Sequence, residues 1–204
     1  MALASGCSAT SGSPRPVPDE TVSSSTPDSS VEPSASTPPD GDRMPGGAPT
    51  VKKPLDTSSF QAAPCSVLTK EQLASLPVLV PGETDLEDPL GPVCGWDDDS
   101  VGISFDGGFL KANTKGLDSL YSQHSKGSLG LFEPLPDIEG YPAVIYGKVD
   151  SRKSGLCAVA VGVTDRLTFT VVMSLSRPNP EETDPCPSAR KAAELAMATM
   201  AGGA

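Results

Sequence analysis

The 204-residue chain has 15 Lys and Arg against 26 Asp and Glu, a formal net charge of −11. This argues against binding to phosphate backbones or to an anionic lipid surface, since both need clustered cations, and nucleic acid is not an expected partner. No apolar run approaches the roughly 18 residues that span a bilayer, so any membrane attachment must come from something other than a helix.

The chain opens with Leu3-Ala4-Ser5-Gly6-Cys7. Small residues ahead of a cysteine, followed at once by a Ser/Pro-rich stretch, resemble the lipobox of bacterial lipoproteins. In that motif the cysteine thiol receives a diacylglycerol and becomes the new N-terminus, so Cys7 is the candidate lipidation site. Acyl chains such as palmitate contribute about 0.8 kcal/mol per buried CH₂, enough to hold a domain on a membrane without a spanning helix. An export signal also needs a basic n-region and an apolar h-region of roughly 7 to 15 residues. Only residues 1–6 precede Cys7, so a start codon further upstream or a trimmed chain is expected. The rival reading is an incidental cysteine in a cytosolic protein.

No Phe, Tyr or Trp precedes Phe60, whereas residues 1–59 hold ten of the 22 prolines and are dense in Ser and Thr. Such a stretch buries too little apolar surface to offset the roughly 1 to 2 kcal/mol per residue lost on ordering a backbone. The expected organisation is therefore a signal remnant at residues 1–7, a disordered Pro/Ser/Thr-rich linker at 8–55, and a folded domain at 56–204. The basic pair Lys52-Lys53 in the linker is too small to attract a polyanion.

The folded part contains Cys65, Cys94, Cys157 and Cys186. Four cysteines in an oxidising compartment predict two disulfides with three connectivities. Sequence order favours Cys65 with Cys94 and Cys157 with Cys186. Each pair closes a loop of about 30 residues, worth roughly 3 to 4 kcal/mol in the chain-entropy model. No C-x-x-C pair occurs and the spacings are long and uneven, so no zinc or other metal site is expected.

Residues 68–76 predict a short helix, with Thr69 as N-cap and Gln72 three residues on, stopped by Pro77. The Pro and Gly density from 78 to 93 predicts a loop. Cys94-Gly95-Trp96 and residues 100–105 read as two strands around the acidic turn Asp97-Asp98-Asp99. Residues 116–125 predict a second helix, with Leu117, Leu120 and Tyr121 at helical spacing. Residues 143–149 form a short β-branched strand. In residues 156–163 Cys157, Val159, Val161 and Val163 share one face, as do Leu167, Phe169, Val171, Met173 and Leu175 in the following run. Thr164-Asp165-Arg166 joins these two as a hairpin turn. A final helix over 188–200 directs Ala192, Leu195, Ala196 and Met200 toward the sheet. The order is that of the α+β class, an antiparallel sheet with packed helices.

Chemical constellations are sparse. His124 is the only histidine, and a polar residue near a helix C-terminus has an ordinary structural explanation. No G-x-S-x-G, P-loop, G-x-G-x-x-G or H-E-x-x-H string occurs. Asp97-Asp98-Asp99 lacks the Gly and Glu of an EF-hand and reads as a solvated turn. Trp96 reads as core packing against the Cys94 disulfide, Gly107-Gly108 as a turn, and Gly140-Tyr141-Pro142 as a bend leading into a strand.

Several separated strings together resemble the actinobacterial lipoproteins of domain-of-unknown-function family 3558. These are Lys53-Pro54-Leu55-Asp56, Pro64-Cys65-Ser66-Val67-Leu68-Thr69, Cys94-Gly95-Trp96, Gly140-Tyr141-Pro142-Ala143-Val144, Cys157, and Asp184-Pro185-Cys186 before an Ala-rich helix. They span residues 53–200 in the family's order. A more distant similarity is to the extracellular sensor domains of mycobacterial serine/threonine kinases. The resemblance implies export, an anchor at Cys7 and four paired cysteines, and it carries over no catalytic residue and no cofactor. The expectation is a monomeric, lipid-anchored protein on the extracytoplasmic face of the cell membrane, not an enzyme, binding an envelope protein or a small ligand. The rivals are a structural spacer, or an envelope hydrolase working with carboxylates alone. The hydrolase would require acidic side chains among Asp97, Asp98, Asp99, Asp106, Asp137 and Glu139 to face each other across a cleft.

Overall fold

Strict alternation of apolar residues in two neighbouring runs builds the centre of the fold. Strands β6 (Leu156–Thr164) and β7 (Leu167–Leu175) pair antiparallel through a turn at Asp165 and Arg166. Cys157, Val159, Val161, Val163, Phe169, Val171, Met173 and Leu175 are all buried. The chain is described here from a computed structural model covering residues 42–76, 78, 80–176 and 184–202. Around the central hairpin lie β1 (Glu83–Asp85), β2 (Val93–Asp98), β3 (Ile103–Phe109), β4 (Leu131–Ile138) and β5 (Tyr141–Gly147). They complete one seven-stranded antiparallel sheet in the order β1-β2-β3-β7-β6-β5-β4.

One face of the sheet carries the main core. Helix α4 (Cys186–Ala201) lies against β6 and β7. Its buried residues are mostly small, Ala189, Ala192, Ala193 and Ala196 with Met197 and Met200, so the helix axis can approach the sheet closely. The same face receives α1 (Ser58–Ala62), a 3₁₀ turn at Pro64–Val67 and α2 (Lys70–Leu73). Helix α2 has the expected capping box: the Gln72 N–H donates to Thr69 Oγ1, and the Thr69 N–H to Gln72 Oε1. Trp96 stacks on Phe105 with ring centroids 4.5 Å apart. Disulfides Cys65–Cys94 and Cys157–Cys186 join elements on this side, with Cα separations of 4.9 and 5.1 Å. The first ties the 3₁₀ turn to β2, and the second ties β6 to the first turn of α4.

The opposite face is covered at one end only. Helix α3 (Asp118–Ser125) supplies Leu120, and Leu117 precedes it; both pack on Val144 and Ala160 with Ala48. Ala48 belongs to residues 42–55, which were expected to continue the disordered linker, and here the boundary is corrected. Asp118 Oδ1 accepts the Gly46 N–H at 2.7 Å and the Ala48 N–H at 3.4 Å. Asp165 Oδ1 accepts the Val51 N–H at 2.8 Å, and Val163 O accepts the Leu55 N–H. Two carboxylates distant in sequence thus supply the acceptors that hold this segment as a strap. A Cβ at Gly46 would come within 2.6 Å of the Asp118 carbonyl, so the approach requires glycine.

Three further expectations change. Gly107 and Gly108 lie inside β3, opposite Val171 and Thr170, not in a turn. A Cβ on Gly107 would sit 3.3 Å from Phe169 and 3.5 Å from Trp96, so its missing side chain makes room for two rings. Strand β4 was not expected. It contains Pro134 and Pro136 and lies at the sheet edge, where proline is tolerated because an outward N–H needs no partner. Helix α4 begins at Cys186, ahead of the expected 188.

Replacing Cys157 and Cys186 together by Ala should lower unfolding free energy by roughly 3 to 4 kcal/mol, measured by urea denaturation. Asp118→Ala should cost about 1 to 3 kcal/mol by leaving two N–H donors of the strap unpaired, with faster amide exchange at Gly46 and Ala48 as the local readout.

Candidate functional site

Where α3 and the strap stop, the second face of the sheet stays open. Alternation directs Asp106 and Gly108 of β3, Thr170 and Val172 of β7, Tyr146 of β5 and Val93 of β2 to this side. The register sets Asp106 opposite Val172, Gly108 opposite Thr170, and Val93 opposite Gly108. The loop between β1 and β2 rises beside them as a wall. Its Asp88 Oδ1 accepts the Leu90 N–H at 2.7 Å. Leu90 O accepts the Ala112 N–H and Pro92 O the Phe109 N–H, which fixes the loop to the end of β3. A Cβ on Gly108 would come within 3.0 Å of Val93, so glycine keeps the floor flat. The result is a groove of about 270 Å³ with the exposed Leu90 on its rim.

Its chemistry is acidic and apolar together. Asp106 stays exposed at the side of the groove, and its carboxyl is pushed above the ordinary aspartate value by partial loss of water around it and by the like charge of Asp97 and Asp88. The position of a Cβ on Gly95 lies 3.0 Å from Asp106 Oδ1 and 3.6 Å from Asp97 Oδ2, so these two carboxylates flank one small residue. Tyr146 is raised by burial, and the Thr170 hydroxyl beside it offsets this in part. Thr170 is 5 % exposed, and its hydroxyl interacts with the Tyr146 phenol. Among the described residues no cation forms an ion pair with Asp88, Asp97 or Asp106. The ion pairs lie elsewhere, Arg152 with Glu133 and Asp150, and Arg190 with Glu194.

The four domain cysteines form the two disulfides, and Cys7 lies outside the described residues. His124 stacks on Phe132 with centroids 4.3 Å apart and is not among the residues lining this groove. Trp96 is buried in the core. The acidic triplet is divided: Asp97 and Asp98 belong to β2, and Asp98 is buried, accepting the Ser100 N–H, so it is not part of a solvated turn. Asp137 and Glu139 line a separate depression beside α4 with Lys191 and Glu194. Of the carboxylates singled out from sequence, only Asp106 lines the groove, with Asp97 adjacent. Asp88, Tyr146 and Thr170 were missed, because each belongs to a different element and only the strand order brings them together. No group of three or more His, Cys, Asp and Glu among the described residues is placed to hold a metal ion, and no described helix is long and apolar enough to cross a membrane.

The model of a family described as protein of unknown function (DUF3558) matches residues 2–199, and the chain belongs to that family. No curated protein and no solved structure matches it.

The raised Asp106 has a stability consequence. Its folded pKa lies above the ordinary value of 3.8, so the folded state binds the proton more tightly and stability falls as pH rises through that window. Asp106→Asn removes the charge that neutral pH imposes on the groove. It should raise the melting temperature slightly at pH 7, and the gain should shrink below pH 3.8, as followed by thermal melts across pH.

Proposed function

We propose that this member of the family is an exported lipoprotein of the cell envelope, and that its domain binds an envelope ligand in the groove on the open sheet face. The observation that carries the binding reading is the groove itself. A concave sheet face with apolar walls and carboxylates that no described cation pairs has the composition of a ligand site. Two disulfides within one modest domain support an oxidising compartment. The lipobox-like string ending at Cys7 supports attachment through acyl chains. The linker then gives the domain reach from the membrane surface.

A second reading, hydrolysis by carboxylates alone, draws on Asp106 and Asp88 sharing the groove. It is separable from binding, because it requires turnover that is lost in Asp106→Asn.

Two measurements test the proposal on protein expressed from its native gene. Intact mass from the membrane fraction should show a diacylglyceryl adduct on Cys7 and a gain of two hydrogens per disulfide on reduction, and Cys7→Ser should release the protein from the membrane. Native mass spectrometry of the recovered protein should show a bound small molecule that is absent from the groove-filling variant Val172→Trp. An unlipidated protein with free thiols would remove the envelope assignment. Identical spectra for Val172→Trp and the native chain would remove the groove.

A further inference from the structure

The groove and the covered part of the same sheet face are direct neighbours. Ala160, under the cover, stands opposite Thr170 of the groove floor, and Val144 stands opposite Ala160. Tyr146, two residues beyond Val144 on β5, lines the groove and packs against the covered cluster. The cover is the strap, residues 43–51, together with α3, whose Tyr121 and His124 rings lie on Phe132 of β4. We propose that strap and α3 open as one unit while the disulfide-linked remainder stays folded, and that opening extends the groove from β3 and β7 across β6 and β5. The widened groove, though not the opening itself, rests on the binding reading above.

Three observations support a common opening. Strap and α3 hold each other: Asp118 in the first turn of α3 accepts the Gly46 and Ala48 N–H groups, and Ala48 packs with Leu117 and Leu120. Neither is stable by itself, because the strap buries only Ala48 and Val51 and an isolated helix of eight residues does not persist in water. Both disulfides lie outside the cover, one joining the 3₁₀ turn to β2 and the other joining β6 to α4. A segment with few buried apolar side chains and no cross-link opens at lower free energy than the core beneath it. The linker also runs directly into the strap in the sequence, so a pull on it reaches the cover before any strand.

Native-state hydrogen exchange on the disulfide-intact full chain follows the opening amide by amide. Gly46, Ala48 and Val51 of the strap and Leu120 and Tyr121 of α3 should share one protection factor, at least about 100-fold below that of the β6–β7 ladder. Asp165→Ala removes the acceptor of the Val51 N–H and no hydrogen bond of α3. It should nevertheless speed exchange in α3 and strap by the same factor, roughly tenfold, with the β6–β7 ladder unchanged, and Asp165→Asn, which keeps an acceptor, should restore most of the protection. Ala160 is fully buried, so Ala160→Cys places a thiol under the cover. Its alkylation, located by peptide mass with both disulfides checked, should track the amide opening and accelerate equally when Asp165→Ala is added. Strap and α3 amides that exchange only with global unfolding, or α3 amides that ignore Asp165→Ala, overturn the cover without any need of the added thiol. Amides that open together while the thiol reacts only on global unfolding overturn the extension of the groove. The groove of the closed state is decided separately by Val172→Trp, so its failure and the cover's are distinguishable.

Discussion

A seven-stranded sheet has two faces to cover, and among the described residues one helix is long enough to cover either. Six strand spacings of about 4.8 Å make a surface close to 29 Å wide, and α4, with 16 residues at about 1.5 Å each, is about 24 Å long. Committed to the face that carries Phe169, Val171 and Met173, it leaves the other to an eight-residue helix and a strap. These reach Val144 of β5 and Ala160 of β6 and stop there. The uncovered strip over β3 and β7 follows from this shortage of helix, and the groove lies on that strip.

The disulfides make such uneven covering tolerable. Elements on the α4 side are short: α1 has five residues, α2 four and the 3₁₀ turn four. Helices of that length do not persist in water on their own. Cys65–Cys94 ties the group to β2 beside the Trp96–Phe105 stack, and Cys157–Cys186 holds the start of α4 against β6. Because β2, β3, β6 and β7 are neighbours in one ladder, anchoring the closed face also steadies the strands whose reverse sides form the groove floor.

Local patterns in the sequence foretold the elements that depend on local physics. The β6–β7 hairpin was legible because its buried residues alternate without interruption, and α2 because Thr69 and Gln72 satisfy each other's backbone across three residues. Edge strand β4 was not, since Pro134, Pro136 and the charged residues around them read as loop until a strand partner on one side only is known. The glycines of β3 misled for a related reason: two adjacent glycines signal a turn locally, and here Gly107 makes room for the Phe169 and Trp96 rings and Gly108 for Val93. The strap was hidden by its composition, because what orders residues 46–51 is a pair of carboxylates 70 and 114 residues further along the chain. The groove was legible only as far as Asp106. Its other polar groups, Asp88, Tyr146 and Thr170, come from a loop and two strands, and they converge only when the strand order places β7 between β3 and β6.

What distinguishes the groove from a packing defect is the kind of imperfection it concentrates. Elsewhere among the described residues compensating pairs occur: Asp150 is held down to about 2 by hydrogen bonds from Arg152, and Arg190 bonds Glu194 one helical turn away. On the open face the pattern reverses. Like charges adjoin at Asp97 and Asp106, and Gly108 keeps the floor clear of a side chain that could fill it. Any one of these features alone would be unremarkable. Gathered on the neighbouring strands β2 and β3 of a cross-linked sheet, they are what the proposed ligand groove draws on.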